Sequence, residues 1–170
     1  VNYALVSVRV LPAPTLNIPS NIIKACKGDT IILRVNSSQD LTWFATKGLL
    51  EFKGQNVRCV VDSTRTYTVY AETQFGCSAI DTIRVEMEEA PSVSGIQRII
   101  EICPEQDSIA IPPSFTFGGV PPYTYAWYTQ NDTIARGSIF KQINVKPLTT
   151  TVYQLAITSP IGCVFRDSIT

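Results

Sequence analysis

The stretch QFGCSAIDTIRV, residues 74–85, and the stretch PIGCVFRDSIT, residues 160–170, share one pattern. In each, a Gly-Cys pair is followed, after three residues, by Asp, then Thr or Ser, then Ile. Glycine favours a turn, and the alternating β-branched residues that follow favour a strand. The recurrence of this turn-and-strand pattern predicts that the chain is built from repeats.

Further landmarks recur in the same order and extend the repeat to the whole chain. Ala13-Pro14 and Cys26 return 77 residues later as Ala90-Pro91 and Cys103, whereas the Gly-Cys pair returns after 86 residues. The offset grows because the second copy contains extra residues, largely within FGGVPPYTY, 117–125. Between these points, Trp43 recurs as Trp127 and Tyr67 as Tyr153.

Each copy reads as short strands separated by Gly, Asn, Asp, Ser and Pro, and no segment shows a capped helical period. The strands predicted for the first copy are Thr30–Val35, Leu41–Ala45, Asn56–Val61, Thr66–Glu72 and Ala79–Met87. This pattern predicts an all-β fold of tandem immunoglobulin-like or PKD-like β-sandwich modules. The predicted modules are residues 13–88 and 89–170, with a truncation of the second module at its C-terminus as an alternative. Residues 1–12 are expected to be the last strand of a preceding module.

Composition excludes several classes of protein. Apolar residues make up 45% of the chain and charged residues 16%, with a net charge of zero. This favours a globular domain without nucleic-acid partners and without a membrane span. The chain begins at Val1 rather than Met and stops inside an apparent strand, so we expect it to be a piece of a longer protein.

Five cysteines and no histidine favour an oxidised, exported protein over a zinc protein. Because Cys26 and Cys103, and likewise Cys77 and Cys163, occupy equivalent repeat positions, pairing within each module is the economical assignment. We therefore expect Cys26–Cys77 and Cys103–Cys163 disulfides. Cys59 alternates with Val57 and Val61 and is expected to be a buried free thiol, with an intermolecular bridge as the alternative.

The aromatic residues allow two interpretations. Trp43 and Trp127 are expected to pack between the sheets, as in immunoglobulin-like sandwiches. An alternative is a sugar-stacking platform, for which Tyr123, Tyr125 and Tyr128 of the second module are the candidate contacts.

The sequence shows no catalytic constellation, so we expect neither an enzyme nor a cofactor. Acidic residues cluster only at Glu86, Glu88 and Glu89, near the module junction. Their oxygen atoms suit Ca²⁺, but no loop of regularly spaced aspartates supports such a site, and no metal is predicted.

The segment GGVPPYTYAWY, 118–128, resembles a motif of repeats in gliding-motility adhesins of Bacteroidota, which are PKD-like. Cys26-Lys-Gly-Asp, the Trp43 strand, Thr66–Val69 and Gly76-Cys77 resemble the Ig-like modules that accompany sorting domains of the type IX secretion system. This resemblance implies a large exported surface protein made of many modules. The first copy lacks Gly-Gly-x-Pro-Pro-Tyr, so the two modules fit different subfamilies.

Six of the seven aspartates are followed by Ser or Thr. Asp at a turn before a β-branched residue is one explanation. The triplet Asp-[Ser/Thr]-aliphatic also resembles the O-glycan acceptor motif of exported Bacteroidota proteins. That resemblance implies O-glycosylation at one or more of these positions: Thr30, Ser63, Thr82, Ser108, Thr133 and Ser168.

These features lead to one functional expectation and two rivals. We expect a structural repeat segment of a large cell-surface adhesin or filament, exported across the outer membrane, that acts as a spacer in attachment or gliding. Its partners would be neighbouring modules of the same chain, with surface glycans or other cell-surface proteins as further candidates. The rivals are a glycan-binding module and an accessory region of an exported hydrolase.

Overall fold

The computed structural model describes residues 4, 6–44, 47–103, 108–111, 115–130, 132–138 and 142–170. This described part contains fourteen β-strands and no helix. The chain divides into two compact units. Unit one comprises Val1–Ile23 and Gly28–Met87, and unit two comprises Lys24–Lys27 and Glu88–Thr170.

Six strands belong to the first sequence copy. They are β1 (Ile22–Cys26), β2 (Thr30–Arg34), β3 (Leu41–Phe44), β4 (Asn56–Val60), β5 (Arg65–Glu72) and β6 (Ser78–Glu88). One sheet has the order β1-β6-β5-β3, and β2 pairs with β4 in a second sheet. The pairs β3–β5, β5–β6 and β2–β4 are antiparallel.

The core of unit one follows from the two-residue alternation of its strands. In β5, Tyr67, Val69 and Ala71 are buried while Thr66 faces out. From the other sheet, Val57 and Cys59 of β4 are also buried. Inward residues of both sheets thus form one sandwich core.

Unit two contains eight strands of the same kind. They are β7 (Ser92–Ser94), β8 (Ile109–Ile111), β9 (Phe115–Phe117), β10 (Thr124–Tyr128), β11 (Thr133–Gly137), β12 (Ile143–Val145), β13 (Tyr153–Thr158) and β14 (Val164–Ile169). The main sheet has the order β11-β10-β13-β14, with β12–β8 and β7–β9 as separate pairs. Its buried core includes Tyr125, Trp127, Tyr153, Leu155 and Ile157.

The all-β prediction is confirmed, and the predicted strands of the first copy agree with β2 to β6 to within one residue, except that Ala45 lies outside the described residues. Residues 6–12 pair with no other strand, and Val6, Val8 and Val10 are more than 80% exposed. The proposed module boundaries, and the assignment of residues 1–12 to a preceding module, stay predictions.

The Gly-Gly-Val-Pro-Pro motif forms a tight turn between β9 and β10. Gly119 has φ +61°, and a Cβ atom there would lie 3.1 Å from both the Glu89 oxygen and the Pro91 nitrogen. The Tyr123 hydroxyl donates to the Gly118 carbonyl. The motif therefore lets two backbone segments of unit two approach closely, which favours glycine at this position.

Candidate functional site

One disulfide is present among the described residues, and it joins Cys26 to Cys163. The S–S distance is 2.07 Å and the Cα–Cα distance is 5.5 Å, within the ordinary range for a disulfide. Cys26 ends β1 in the segment Lys24–Lys27, which packs with unit two, so both cysteines belong to that unit. The bond spans 137 residues of sequence.

The predicted Cys26–Cys77 and Cys103–Cys163 pairs are therefore wrong. The amide of Lys27 donates to the Glu88 carbonyl, so Cys26 lies beside the last residues of β6. Cys77 precedes the first residue of this 11-residue strand. Cys26 is already bonded to Cys163, so it cannot also pair with Cys77.

Backbone geometry excludes the other predicted pair as well. The amide of Ile100 donates to the Thr170 carbonyl, and the amide of Thr170 donates to the Arg98 carbonyl. The segment 98–100 thus runs parallel to the end of β14, and Cys103 follows it. Cys163 lies at the opposite end of β14, roughly 20 Å or more away. Equivalent repeat positions do not reveal this parallel direction, which is why sequence reasoning chose the wrong pairing.

Cys77 and Cys163 lie in two separate turns that have the same hydrogen bonds. The amide of Cys77 donates to Thr73 Oγ1 over 3.2 Å, and the amide of Cys163 donates to Ser159 Oγ over 3.3 Å. In both turns the amide of the preceding glycine donates to the carbonyl of that Thr or Ser. Thr73 and Ser159 were not predicted, although a Ser or Thr four residues before Cys in both copies was the available signal.

Three described cysteines are unbonded, and they differ in exposure. Cys77 is partly buried and Cys103 is exposed. Cys59 is fully buried, and its thiol donates to the Tyr67 hydroxyl over 3.1 Å. The Tyr67 hydroxyl in turn donates to the Lys47 carbonyl over 3.0 Å.

Burial controls the chemistry of this Cys59–Tyr67 pair. Desolvation raises the pKa of the Cys59 thiol, although its hydrogen bond to Tyr67 opposes the shift. Desolvation likewise raises the pKa of the Tyr67 phenol, assisted by Cys59. Both groups are thus held neutral, which makes Cys59 a poor nucleophile.

The three candidate sugar-contacting tyrosines do not form one platform. Tyr125 is 1% exposed and belongs to the core, so its prediction as a glycan contact is wrong. Successive side chains of a strand alternate between faces, so Tyr128 lies on the face opposite to Tyr125. Tyr123 and Tyr128 are half-buried.

Trp43 and Trp127 are each 1% exposed, in the core position expected for a sandwich. The Trp43 indole donates its N–H to the Gly54 carbonyl over 2.9 Å. Neither ring is available for stacking on a sugar.

The candidate O-glycosylation residues separate into two groups. Thr30 and Thr133 open strands, and Ser63 and Ser108 precede strands, as the turn explanation predicts. Thr82 and Ser168, which are equivalent in the repeat, lie within β6 and β14 instead and are exposed. Ser63 is partly buried and hydrogen-bonded to Asp62 and Arg65, the other five are exposed, and Asp107, before Ser108, lies outside the described residues.

The acidic residues near the junction have separate partners. Glu89 pairs with Lys27 at 2.8 Å, and Glu86 accepts from Arg84 at 3.1 Å. Glu88 accepts from the Val120 amide. Within the described ranges, no group of three acidic or cysteine side chains is placed to hold a metal ion.

Unit two contains an apolar groove of about 370 Å³, lined by residues that include Ile99, Val145, Tyr153 and Thr150. The residue equivalent to Thr150 in the first copy is Thr64, whose hydroxyl accepts a hydrogen bond from the Met87 amide. The corresponding edge in unit one is thus occupied by the last residues of β6. The lining of the groove also includes the polar residues Glu101, Thr149 and Thr151.

No helix able to cross a membrane occurs in the part of the chain that the structure describes.

Comparison with solved structures supports the fold. The chain is similar to the N-terminal eight Ig domains of Down Syndrome Cell Adhesion Molecule isoform 1.30.30, with TM-score 0.61, 14% identity and coverage of 93% of this chain. It also aligns with Drosophila OTK extracellular domains 3–5 at TM-score 0.49 and 12% identity over 91% of this chain. It spans 27% of the first structure and 60% of the second.

No protein-family model matches the sequence. No curated protein matches it either. At 14% identity the structural likeness establishes the fold alone. The chain consists of tandem immunoglobulin-like β-sandwich modules, a fold that it shares with the Ig domains of the first of these structures.

Proposed function

We propose that this chain is a structural repeat segment of a large, exported cell-surface adhesin or filament, in which it spaces other domains away from the cell. The repetition of one sandwich, down to the hydrogen bonds of its Gly-Cys turn, is the observation that carries this proposal. Side chains that could react or bind a ligand, such as Cys59 and Trp43, are buried in the core instead. A non-enzymatic role follows from the same observation.

The resemblance of GGVPPYTYAWY, 118–128, to gliding-motility adhesins supports export by a type IX system in Bacteroidota and display outside the outer membrane. A disulfide also suits an oxidising location. In this setting the partners are neighbouring modules of the same chain, and O-glycans would occupy exposed Asp-Thr and Asp-Ser positions.

Module replacement tests the spacer role. In the producing organism, residues 13–170 are replaced by two unrelated Ig-like modules of the same length, and attachment and gliding are measured. A spacer predicts that both are retained, whereas deletion of the segment without replacement impairs them. Loss of attachment in the replaced strain would contradict the spacer role.

Intact mass of natively exported protein tests glycosylation. Because Thr82 and Ser168 are exposed and are not explained by strand starts, we expect hexose-type additions there first. Asp81→Asn and Asp167→Asn should remove these additions while Asp40→Asn, which alters the one aspartate without a following Ser or Thr, leaves the mass pattern unchanged. An unmodified native mass would refute the assignment.

For the glycan-binding alternative, Tyr128 is the one candidate tyrosine of β10 that does not face the core. This tyrosine borders a shallow depression with Gln154, Arg166 and Asp167. Saturable binding to a carbohydrate array that Tyr128→Ala abolishes without unfolding would favour that alternative. A hydrolase domain in the full reading frame would favour an accessory role.

A further inference from the structure

The one disulfide among the described residues joins cysteines from different copies of the repeat. Cys26 belongs to the first copy and Cys163 to the second, although both pack within unit two. Each copy therefore uses one of its two repeat cysteines in this bond. The other two, Cys103 and Cys77, are the repeat equivalents of Cys26 and Cys163 and are unbonded.

Backbone hydrogen bonds confirm that the equivalence is structural. The Arg84 amide donates to the Asn21 carbonyl, and the Thr170 amide donates to the Arg98 carbonyl, both over 2.8 Å. Arg98 follows Asn21 by 77 residues and Thr170 follows Arg84 by 86, which are the two offsets of the sequence repeat. The segment that leads to Cys103 therefore runs along its neighbouring strand as β1 does before Cys26.

The sulfur atoms show the same equivalence. Cys163 Sγ lies 3.9 Å from the Glu88 carbonyl oxygen, and Cys77 Sγ lies 3.8 Å from the Leu11 carbonyl oxygen. Glu88 follows Leu11 by the same 77 residues. Cys77 thus faces the segment before the first copy in the way that the bonded Cys163 faces the segment before the second.

We propose that Cys26–Cys163 is one member of a series of disulfides that join each copy of the repeat to the next. Cys103 bonds to the Gly-Cys turn of a following copy, and Cys77 bonds to the cysteine equivalent to Cys26 in a preceding copy. Cys103 is exposed and Cys77 partly so, which leaves both sulfur atoms able to react. Cys59 stays outside the series because it is buried, and Val145 occupies its equivalent position.

Each bond forms by thiol–disulfide exchange. One protein thiolate attacks an oxidised small disulfide such as oxidised glutathione, releasing one glutathione thiolate, and the second protein thiolate then displaces the other glutathione. Two protein thiols and one oxidised glutathione thus give one protein disulfide and two reduced glutathione molecules. The overlap of successive bonds would place the whole array inside covalent loops.

Disulfide mapping of the full-length exported protein tests this proposal. After digestion without reductant, the Cys103 peptide should be joined to a peptide that contains a Gly-Cys turn from outside residues 1–170. Cys103→Ser should free that one distant cysteine for alkylation while Cys26–Cys163 stays intact. Cys59→Ser is the matched control and should free no other thiol.

A Cys103 recovered as a free thiol, or bonded within residues 1–170, would overturn the series. So would a Cys103→Ser protein in which no new thiol becomes reactive. The inference rests on the repeat-array part of the proposed function, but the two proposals are refuted by different experiments. Module replacement reports on attachment, whereas the peptide map reports on which sulfur atoms are joined.

Discussion

At the scale of the residue, Gly48 is the most constrained glycine of unit one. Its φ is +92°, and a Cβ atom would lie 2.7 Å from the Tyr67 hydroxyl and 2.9 Å from the Val60 carbonyl oxygen. Gly28 has nearly the same φ, +90°, but no atom within 4 Å of such a Cβ. Comparing substitutions at the two glycines therefore distinguishes the effect of backbone strain from the effect of steric crowding.

We expect Gly28→Ala to lower the free energy of unfolding by about 1 kcal/mol through backbone strain alone. Gly48→Ala should cost roughly 1 to 3 kcal/mol more, because the added methyl displaces the Tyr67 hydroxyl. Urea unfolding of unit one, followed by Trp43 fluorescence in a Trp127→Phe background, measures both. Equal losses for the two variants would contradict the crowding at Gly48.

Cys59 acts as an apolar core residue rather than a reactive one. Cys59→Val should change the free energy of unfolding by less than about 1.5 kcal/mol, since one apolar side chain replaces another and Val145 fills the equivalent buried position in the second copy. Native Cys59 should also resist iodoacetamide at pH 8 while Cys103 is alkylated. Rapid native alkylation of Cys59 would contradict its burial.

The raised pKa of Cys59 gives this residue a pH signature. Its folded-state pKa lies above the unfolded value of about 8.5, so the folded state holds its proton more tightly. The stabilisation is complete below pH 8.5 and is lost as the pH rises through the folded pKa. Cys59→Val should therefore make the urea midpoint less sensitive to alkaline pH than it is in the parent chain, and an unchanged slope would contradict this account.

At the scale of the element, the ion pair between Arg98 and Asp167 fastens the segment 98–100 to β14. Arg98 Nη2 lies 3.1 Å from Asp167 Oδ2, and the hydrogen bond from Arg98 lowers the Asp167 pKa. A lowered carboxyl pKa stabilises the fold above the unfolded value of about 3.9, and this contribution is lost as the pH falls through the folded pKa. In the first copy the equivalent carboxylate is Asp81, and the residue equivalent to Arg98 is Asn21, which carries no charge.

We therefore expect Asp167→Asn to lower the free energy of unfolding at pH 7 by up to about 1 kcal/mol, a modest amount because Arg98 is exposed. The difference from the parent should shrink between pH 7 and pH 3, as the pH falls below the unfolded pKa of about 3.9 toward the lower folded pKa. Asp81→Asn is the control and should have a smaller effect at pH 7. Urea titrations at the two pH values measure this, and equal effects of the two substitutions at pH 7 would refute the role of Arg98.

The strands were largely predictable, whereas the cysteine pairing was not. Alternation in Arg65–Glu72 is a local property, and it predicts both the strand and its buried face. The parallel placement of β1 beside β6 depends on contacts between residues some sixty positions apart, and no local pattern encodes it. Tyr125 was misassigned for a related reason, since an aromatic run does not reveal which alternate residues meet the opposite sheet.

At the scale of the whole molecule, the Cys26–Cys163 bond should govern extension under force. When the oxidised chain is pulled from its ends, the segment between Cys26 and Cys163, a sequence separation of 137 residues, cannot extend because the disulfide closes it into a loop. Reduction should release roughly 470 Å of further length, at about 3.4 Å per residue. Release in two shorter steps would instead indicate the Cys26–Cys77 and Cys103–Cys163 pairs.

The same bond should dominate stability among the cysteines. In the chain-entropy model a loop of this length contributes about 5 kcal/mol, so Cys163→Ser should lower the denaturant midpoint of the oxidised chain strongly. Cys77→Ser and Cys103→Ser remove unbonded thiols, so they should leave the free energy of unfolding within about 0.5 kcal/mol of that of the parent. Comparable losses for all three variants would contradict the pairing.

Disulfide mapping of this oxidised 170-residue chain tests the central claim most directly. Unbonded thiols are alkylated under denaturing conditions, the chain is digested without reductant, and cross-linked peptides are identified by mass spectrometry. The structure predicts one intrachain cross-link, Cys26–Cys163, with Cys59, Cys77 and Cys103 recovered as alkylated thiols or as adducts of the oxidant. Cross-links Cys26–Cys77 and Cys103–Cys163 would contradict it.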